Sequence, residues 1–342
     1  MVTVLQLVLS LVAILGAAAL FTNAVEMLGE RMNLGQGAVG SVLAAVGTAL
    51  PETMIPVVAL IGAVLAGEST GAAASEIGIG AILGAPFLLA TLAMFIMAVA
   101  ALGFGRRREN GTELVIEKRT TRRDVIYFLV AFAVAAGAGI VALPTWVKVL
   151  VAILLVATYA FYVWRTIVAG GEVMGETPDD LTLWPESRWG RAPTWAVTAQ
   201  LLGTLVVMGL GAHIFVRGVE SASESLGIPA GLISLVLAPL ATELPEKFNS
   251  VIWLKADKDT LAFGNITGAM VFQSTLPVSL GLLFTRWELD FINAFSAGLA
   301  LASGVVLLGF LLRKGPIKAY YLLGAGIPYI VFLAVAIYQL AL

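Results

Sequence analysis

The chain contains no cysteine. That excludes disulfides, thiolate-bound metals and cysteine nucleophiles, and leaves the compartment open, because a chain without thiols suits either redox environment. Charge is scarce too: 12% of residues are Asp, Glu, Lys or Arg, against 59% hydrophobic, and the mean hydropathy is +0.96. Such a composition excludes a soluble globule and fits an all-α polytopic membrane protein. A formal net charge of −2 argues against a nucleic-acid partner. HExxH, a paired-Asp motif, a Ser–His arrangement and an Arg-rich phosphate site are all missing, so an intramembrane enzyme using buried carboxylates is the weaker alternative. The apolar N-terminal run lacks a basic n-region, so Val4–Phe21 reads as a first spanning helix in place of a signal peptide.

Long apolar stretches follow at Gly37–Ala66, Gly71–Phe104, Val125–Leu143, Trp146–Val168, Trp195–Val216, Ile228–Leu254, Leu261–Phe284, Phe291–Leu312 and Ala319–Leu342. Together with the first they predict ten transmembrane helices, the second and third long enough to be tilted or broken. With the N-terminus outside, sixteen of the twenty Lys and Arg residues fall in cytoplasmic loops, seven of them between Arg106 and Arg123. Only Lys148, Arg217 and Arg286 fall outside, and Lys247 lies within a helix. The bias places both termini outside, most simply in a prokaryotic plasma membrane, with lipid as a partner.

Within the second stretch, Gly37 to Ala66, the one ionisable side chain is Glu52, directly after Pro51. An ionised Glu at the bilayer centre costs roughly 2.5–3.5 kcal/mol even on the lenient insertion scale, and Pro51 removes a backbone donor besides. The same grammar recurs: VLAAVGTALPET (42–53) aligns with VLAPLATELPEK (236–247) at an offset of 194, pairing Thr48 with Thr242 and Glu52 with Glu246. GAILGAP (80–86) aligns with GNITGAM (264–270) at an offset of 184. Two motifs in one order on consecutive helices mark an internal repeat. Five helix starts separate the copies, so they cross in opposite directions. Two inverted five-helix repeats are expected, at 1–169 (motif 37–90) and 194–342 (motif 228–281), joined by a cytoplasmic linker at 170–193. In such repeats interrupted helices meet near the midplane, where freed carbonyls and carboxylates hold a cation.

On these motifs the chain resembles the calcium/cation antiporter superfamily typified by sodium/calcium exchangers, whose repeats read like GTSLPE on one helix and GSNxFN or D on the next. The resemblance implies that Glu52 and Glu246 are the central cation-binding acids, that Thr48 and Thr242 lend ligands beside them, and that Gly84 and Gly268 let helices approach closely. It implies exchange of a divalent cation, Ca²⁺ first, for H⁺ or Na⁺ by alternating access, the first and sixth helices moving past a fixed core, with no cofactor beyond the transported ions. The departures bear on the coupling ion. The family's first-motif serine is Ala49 in one repeat and Glu243 in the other; its GSN serine is Ala85 and Ala269; its Asn or Asp one turn later is Leu89 and Gln273. Loss of these groups weakens the case for Na⁺ sites and leaves the divalent site in place.

Glu52, Glu246, Thr48, Thr242, Gln273 and Glu243 can together supply the six to eight oxygens that Ca²⁺ takes, while a site completed by water would suit Mg²⁺ or Mn²⁺. Glu243 and Lys247 stand at i,i+4 in the favourable order for a helical ion pair; alternatively Lys247 competes with the cation for an acid. Asn265 either modulates the pathway or makes an interhelical hydrogen bond, and Asn249 and Ser250 are similarly open. Glu68 and Glu76 are expected as solvated charges near the outer mouth. His213 is expected as a helix-contact residue. Trp146, Trp164, Trp184, Trp189, Trp195 and Trp287 are expected in the aromatic belts.

Overall fold

In hydrocarbon every backbone N–H and C=O needs an internal partner, so apolar runs of this length become helices. The computed structural model describes residues 2–31, 44–66, 72–141, 143–168, 181–184 and 190–341; the side chains of residues 2, 26, 29, 30, 44–51, 167 and 244–249 lie outside that description. The helices are α1 (Val2–Arg31), α2 (Ala44–Ala66), α3 (Ala72–Leu88), α4 (Met94–Phe104), α5 (Lys118–Ile140), α6 (Thr145–Val168), α7 (Thr194–Leu226), α8 (Ala230–Lys255), α9 (Asp259–Gln273), α10 (Leu276–Phe284), α11 (Phe291–Leu312), α12 (Ala319–Leu322) and α13 (Gly326–Leu340). Among the described residues eight helical spans are long and apolar enough to cross a membrane, α3 with α4, α9 with α10 and α12 with α13 each counting as one. The motif helices α2 and α8 offer shorter apolar segments, Glu52–Leu65 and Ala230–Glu243.

Several boundaries differ from expectation. Interruptions were expected at the LPE prolines, yet α2 and α8 run through Pro51 and Pro245 as unbroken helices. A proline inside a helix still denies a partner to the carbonyl four residues earlier, so the carbonyls of Gly47 and Ala241 lose their helical donors without a break. The breaks fall on the second motif helices. A π-helical turn, Leu89–Ala93, separates α3 from α4. The α9–α10 span parts at Ser274–Thr275, where Pro277 enters the first turn of α10. Helix α5 begins seven residues before its apolar stretch because Glu117 caps it, accepting from the N–H groups of Arg119 and Thr120. The fold is not purely helical either. Strands β1 (Glu113–Leu114) and β2 (Ile317–Lys318) pair antiparallel, tying the basic loop after α4 to the turn before α12.

Small residues set the closest helix contact. Helix α8 packs along α3, where a Cβ on Gly80 would overlap the Gly231 carbonyl oxygen, and one on Gly84 would overlap that of Leu235 and press on Pro239. Pro239 is four residues beyond Leu235, so Gly84 lies against a carbonyl freed by proline. Gly268 does not do the same: among the described residues the nearest atom to a Cβ there is Tyr162 Oη at 3.9 Å. The main apolar core joins α3, α4, α5, α9, α10, α11 and α13. Helices α1 and α7 pack along each other and reach the rest through a second cluster that includes Met54, Ile55, Ala59, Ile77, Ala81 and Ile233.

One tryptophan is misplaced by the belt expectation. Trp287 is fully buried, at φ 44°, with its indole N–H donating to the Ala135 carbonyl at 3.0 Å. Trp146, Trp164 and Trp195 are exposed on the helix surface. The end of the linker docks at Leu181 and Ala192 against Ala24, Met27 and Val197 of α1 and α7, while 169–180 and 185–189 lie outside the described residues.

Gly84→Val should cost about 1–3 kcal/mol by overpacking against backbone that cannot retreat, whereas Gly264→Ala, with no atom of the described residues within 4 Å of its Cβ, should leave stability unchanged or slightly higher. Thermal unfolding of the two detergent-purified variants checks both.

Candidate functional site

Glu52 lies one residue past Pro51 on α2, and Thr242 and Glu243 lie ahead of Pro245 on α8. Gln273 is the last residue of α9, immediately before the break. The fold converges them. Glu52, Thr242, Glu243 and Gln273 are all buried, Glu243 completely. The Gln273 side-chain N–H₂ donates to Glu52 Oε2 at 3.2 Å and to Glu243 Oε1 at 3.1 Å. Both amide hydrogens are thereby engaged with acids, and the two carboxylate oxygens can be no further apart than those two bonds laid end to end.

Thr242 Oγ1 donates to the Ala238 carbonyl at 2.9 Å, which leaves its lone pairs able to accept or to ligate. Pro56 and Pro277 add backbone acceptors: each denies a helical partner to the carbonyl four residues earlier, which are the carbonyls of Glu52 and Gln273 themselves. The amide carbonyl of Gln273 is a further hard oxygen. The result is an oxygen-rich, buried array around two acids from opposite halves of the sequence, joined by one neutral donor. Such a set suits a hard divalent cation, which would bring two positive charges where the amide brings only hydrogen bonds.

Of the remaining candidates, the side chains of Thr48, Glu246, Lys247 and Asn249 lie outside the described residues, as does Glu68. The acid of the second LPE segment seen beside Glu52 is therefore Glu243, three residues before the motif glutamate. Glu243, expected both as a cation ligand and as an ion-pair partner of Lys247, is completely buried and bonded to Gln273. Asn265 Nδ2 donates to Ser250 Oγ at 2.9 Å, an interhelical bond between α9 and α8. His213 accepts from Arg217 Nε at 3.2 Å on the exposed face of α7, and Glu76 is exposed at the start of α3. What the sequence reading missed is that both second motif helices become irregular at the equivalent positions Leu89 and Gln273, where the π turn begins and where α9 ends.

Residues 2–168 and 196–338 match the sodium/calcium exchanger protein family. A candidate antiporter, CaxA, from Alkalimonas amylolytica is 29% identical over 147 residues, 41% of this chain and 45% of that protein. The vacuolar cation/proton exchanger 1c of Oryza sativa subsp. japonica is 32% identical over 130 residues, 36% of this chain and 28% of that protein. These alignments span less than half of either relative. Among solved structures, the H⁺/Ca²⁺ exchanger CAX superposes with a TM-score of 0.70 at 19% identity, covering 99% of this chain and 87% of that one. The sodium–calcium exchanger NCX_Mj superposes with a TM-score of 0.59 at 18% identity, covering 97% of each. At these identities the likeness is one of fold.

Gln273→Leu removes two hydrogen bonds to charged groups, each worth about 1.5–3 kcal/mol, and leaves Glu52 facing Glu243. The variant should unfold at a lower temperature than wild type, and Gln273→Glu, which adds a third acid, at a lower one still. Unfolding temperatures of the three proteins decide it.

Proposed function

The chain belongs to the sodium/calcium exchanger protein family, and from that membership we propose that it is a secondary antiporter that moves Ca²⁺ across a membrane in exchange for protons. The observation that carries the proposal is the Glu52–Gln273–Glu243 array, two buried acids from separate halves of the chain held on one amide. Glu52, Glu243 and Glu246 supply charge for the cation; Thr48, Thr242 and the Gln273 carbonyl, with the proline-freed backbone carbonyls, supply the further oxygens a calcium ion takes. Glu246 enters as the repeat counterpart of Glu52.

Exchange follows from electrostatics. When the divalent ion leaves, like carboxylates remain together in a medium of low dielectric, and replacement charge must arrive. Protons are favoured over Na⁺ by the residues themselves: Ala49, Ala85 and Ala269 offer no hydroxyl ligands for separate sodium sites. Lys247 serves as a built-in competing cation beside the acids.

The architecture proposed is ten transmembrane helices in two inverted five-helix repeats, with α2 and α8 as the motif-bearing spans and the basic loops in the cytoplasm. Both termini then face outward, in the plasma membrane of a prokaryote. Access alternates as the α1–α7 pair moves past the remaining core. The family is one of exchangers, so the intramembrane-enzyme reading has no support left.

In proteoliposomes a proton gradient should drive ⁴⁵Ca²⁺ uphill, and Glu52→Gln and Glu243→Gln should each reduce that flux to the level of protein-free vesicles. Flux driven by a sodium gradient alone would overturn the proton assignment, preferential Mg²⁺ or Mn²⁺ uptake would overturn the calcium assignment, and purely dissipative flux would overturn antiport. In a parallel comparison, Lys247→Ala should bind Ca²⁺ more tightly than wild type in isothermal titration.

A further inference from the structure

A second buried acid lies outside both motifs. Asp124 sits on the core-facing side of α5 with Thr121, Val125 and Phe128, and is 2% exposed. Its Oδ2 lies 3.0 Å from Thr267 Oγ1 on α9, and Tyr162 of α6 lies on the same side of the carboxylate. Oδ1 lies 3.3 Å from Arg123 Nη2, and that guanidinium stacks 5.2 Å over the Tyr162 ring with part of its surface exposed. An ionisable group within a membrane span is costly and is a functional candidate by default. None of the transport chemistry above uses it.

We propose that Asp124 is a separate proton-binding site of the exchanger, set on the basic-loop side of the cation site. The reading rests on the antiport proposed above, and its geometry rests on the Thr267 hydroxyl. That oxygen is also 3.1 Å from the Phe263 carbonyl, and a hydroxyl has one hydrogen to give. With Asp124 ionised, Thr267 donates to Oδ2. With a proton added to Oδ2, the new O–H donates to Thr267 Oγ1, whose own hydrogen turns to the Phe263 carbonyl. Both protonation states keep the Asp124–Thr267 hydrogen bond without moving a heavy atom, and the protonated state adds the one to the Phe263 carbonyl. The countercharge also survives the change, because Arg123 is half held by the Tyr162 ring and reaches the surface.

The placement fits proton loading. Thr267 lies six residues before Gln273 on one helix, about 9 Å along its axis, between the loop-side start of α9 and the acid pair. The arrangement is also unique to one half, since the residue matching Thr267 in the first repeat is Leu83. The titratable and charged groups facing Asp124 are Arg123 and Tyr127 on α5 and Tyr159 and Tyr162 on α6, with Arg165 exposed one turn further along; α11 has no titratable side chain, and Asp259 at the start of α9 is held by Arg108.

Infrared titration of the purified protein tests the site directly. Wild type should gain a protonated-carboxyl C=O band on acidification that is absent in Asp124→Asn and shifted in frequency in Thr267→Val; an identical band in all three would overturn the proposal. In proteoliposomes, Asp124→Asn should keep Ca²⁺ affinity within about twofold while its flux loses the dependence on loop-side pH, about tenfold per unit at most for a single proton, and Asp124→Glu should restore it. An unchanged pH profile in Asp124→Asn would sink the idea. If Asp124→Asn does not fold, the Thr267→Val band shift alone decides. Absence of proton-driven flux in wild type would remove the antiport reading, while the infrared result would still judge Asp124.

Discussion

One amide nitrogen holds the centre of the molecule together. Gln273 donates to Glu52 and Glu243 at once, and without a donor between them two ionised acids in a buried volume would each pay desolvation and would repel. A neutral amide is a mild solution. It gives each acid one hydrogen bond and brings no net positive charge, as the proposed exchange of a divalent cation at this place requires. A Lys or Arg in its place would lock the pair.

The backbone around that amide is prepared in the same spirit. Pro51, Pro56 and Pro245 each free a carbonyl inside helices where free carbonyls are expensive, and the end of α9 at Gln273 leaves another, so the freed groups gather on the elements that carry the acids. Where a freed carbonyl is not needed, it is covered. The Leu235 carbonyl, released by Pro239, lies under Gly84 in the tightest contact between α3 and α8. Proline and glycine thus act as a pair, one exposing backbone polarity and the other letting a second helix seal it.

Much of this was readable in the chain. The apolar runs located the spans, and the repeated LPE and GxxxG segments pointed to Glu52, Thr242 and Gln273, because sequence symmetry survives without knowledge of packing. Glu243 stood among the cation ligands and also as an i,i+4 partner of Lys247, but nothing in the sequence says that Gln273, thirty positions away, would meet it. Trp287 was placed in a belt for its proximity to a span end, but Gly139 and Gly281 leave room for the indole to enter the core. The LPE prolines were expected to interrupt their helices, which run on through them; the break falls before Pro277, where Ser274 and Thr275 donate to the Val271 carbonyl. Asp124 was passed over because one acid beside an arginine at a helix start looks like surface.

The loop after α4 has a mechanical meaning. Arg108 reaches Asp257 and Asp259, Val115 N–H donates to Asp259, Lys118 donates to the Arg313 carbonyl, and β1 pairs with β2. These are directional bonds, and α4, α9 and α11 cannot part at that face without breaking several together. Among the described residues the α1–α7 pair meets its neighbours through Met54, Ile55, Ala59, Ile77 and Ala81, side chains that exchange one apolar contact for another at little cost. The protein is therefore a riveted frame with a greased seam along one flank, and shear is cheapest along that seam.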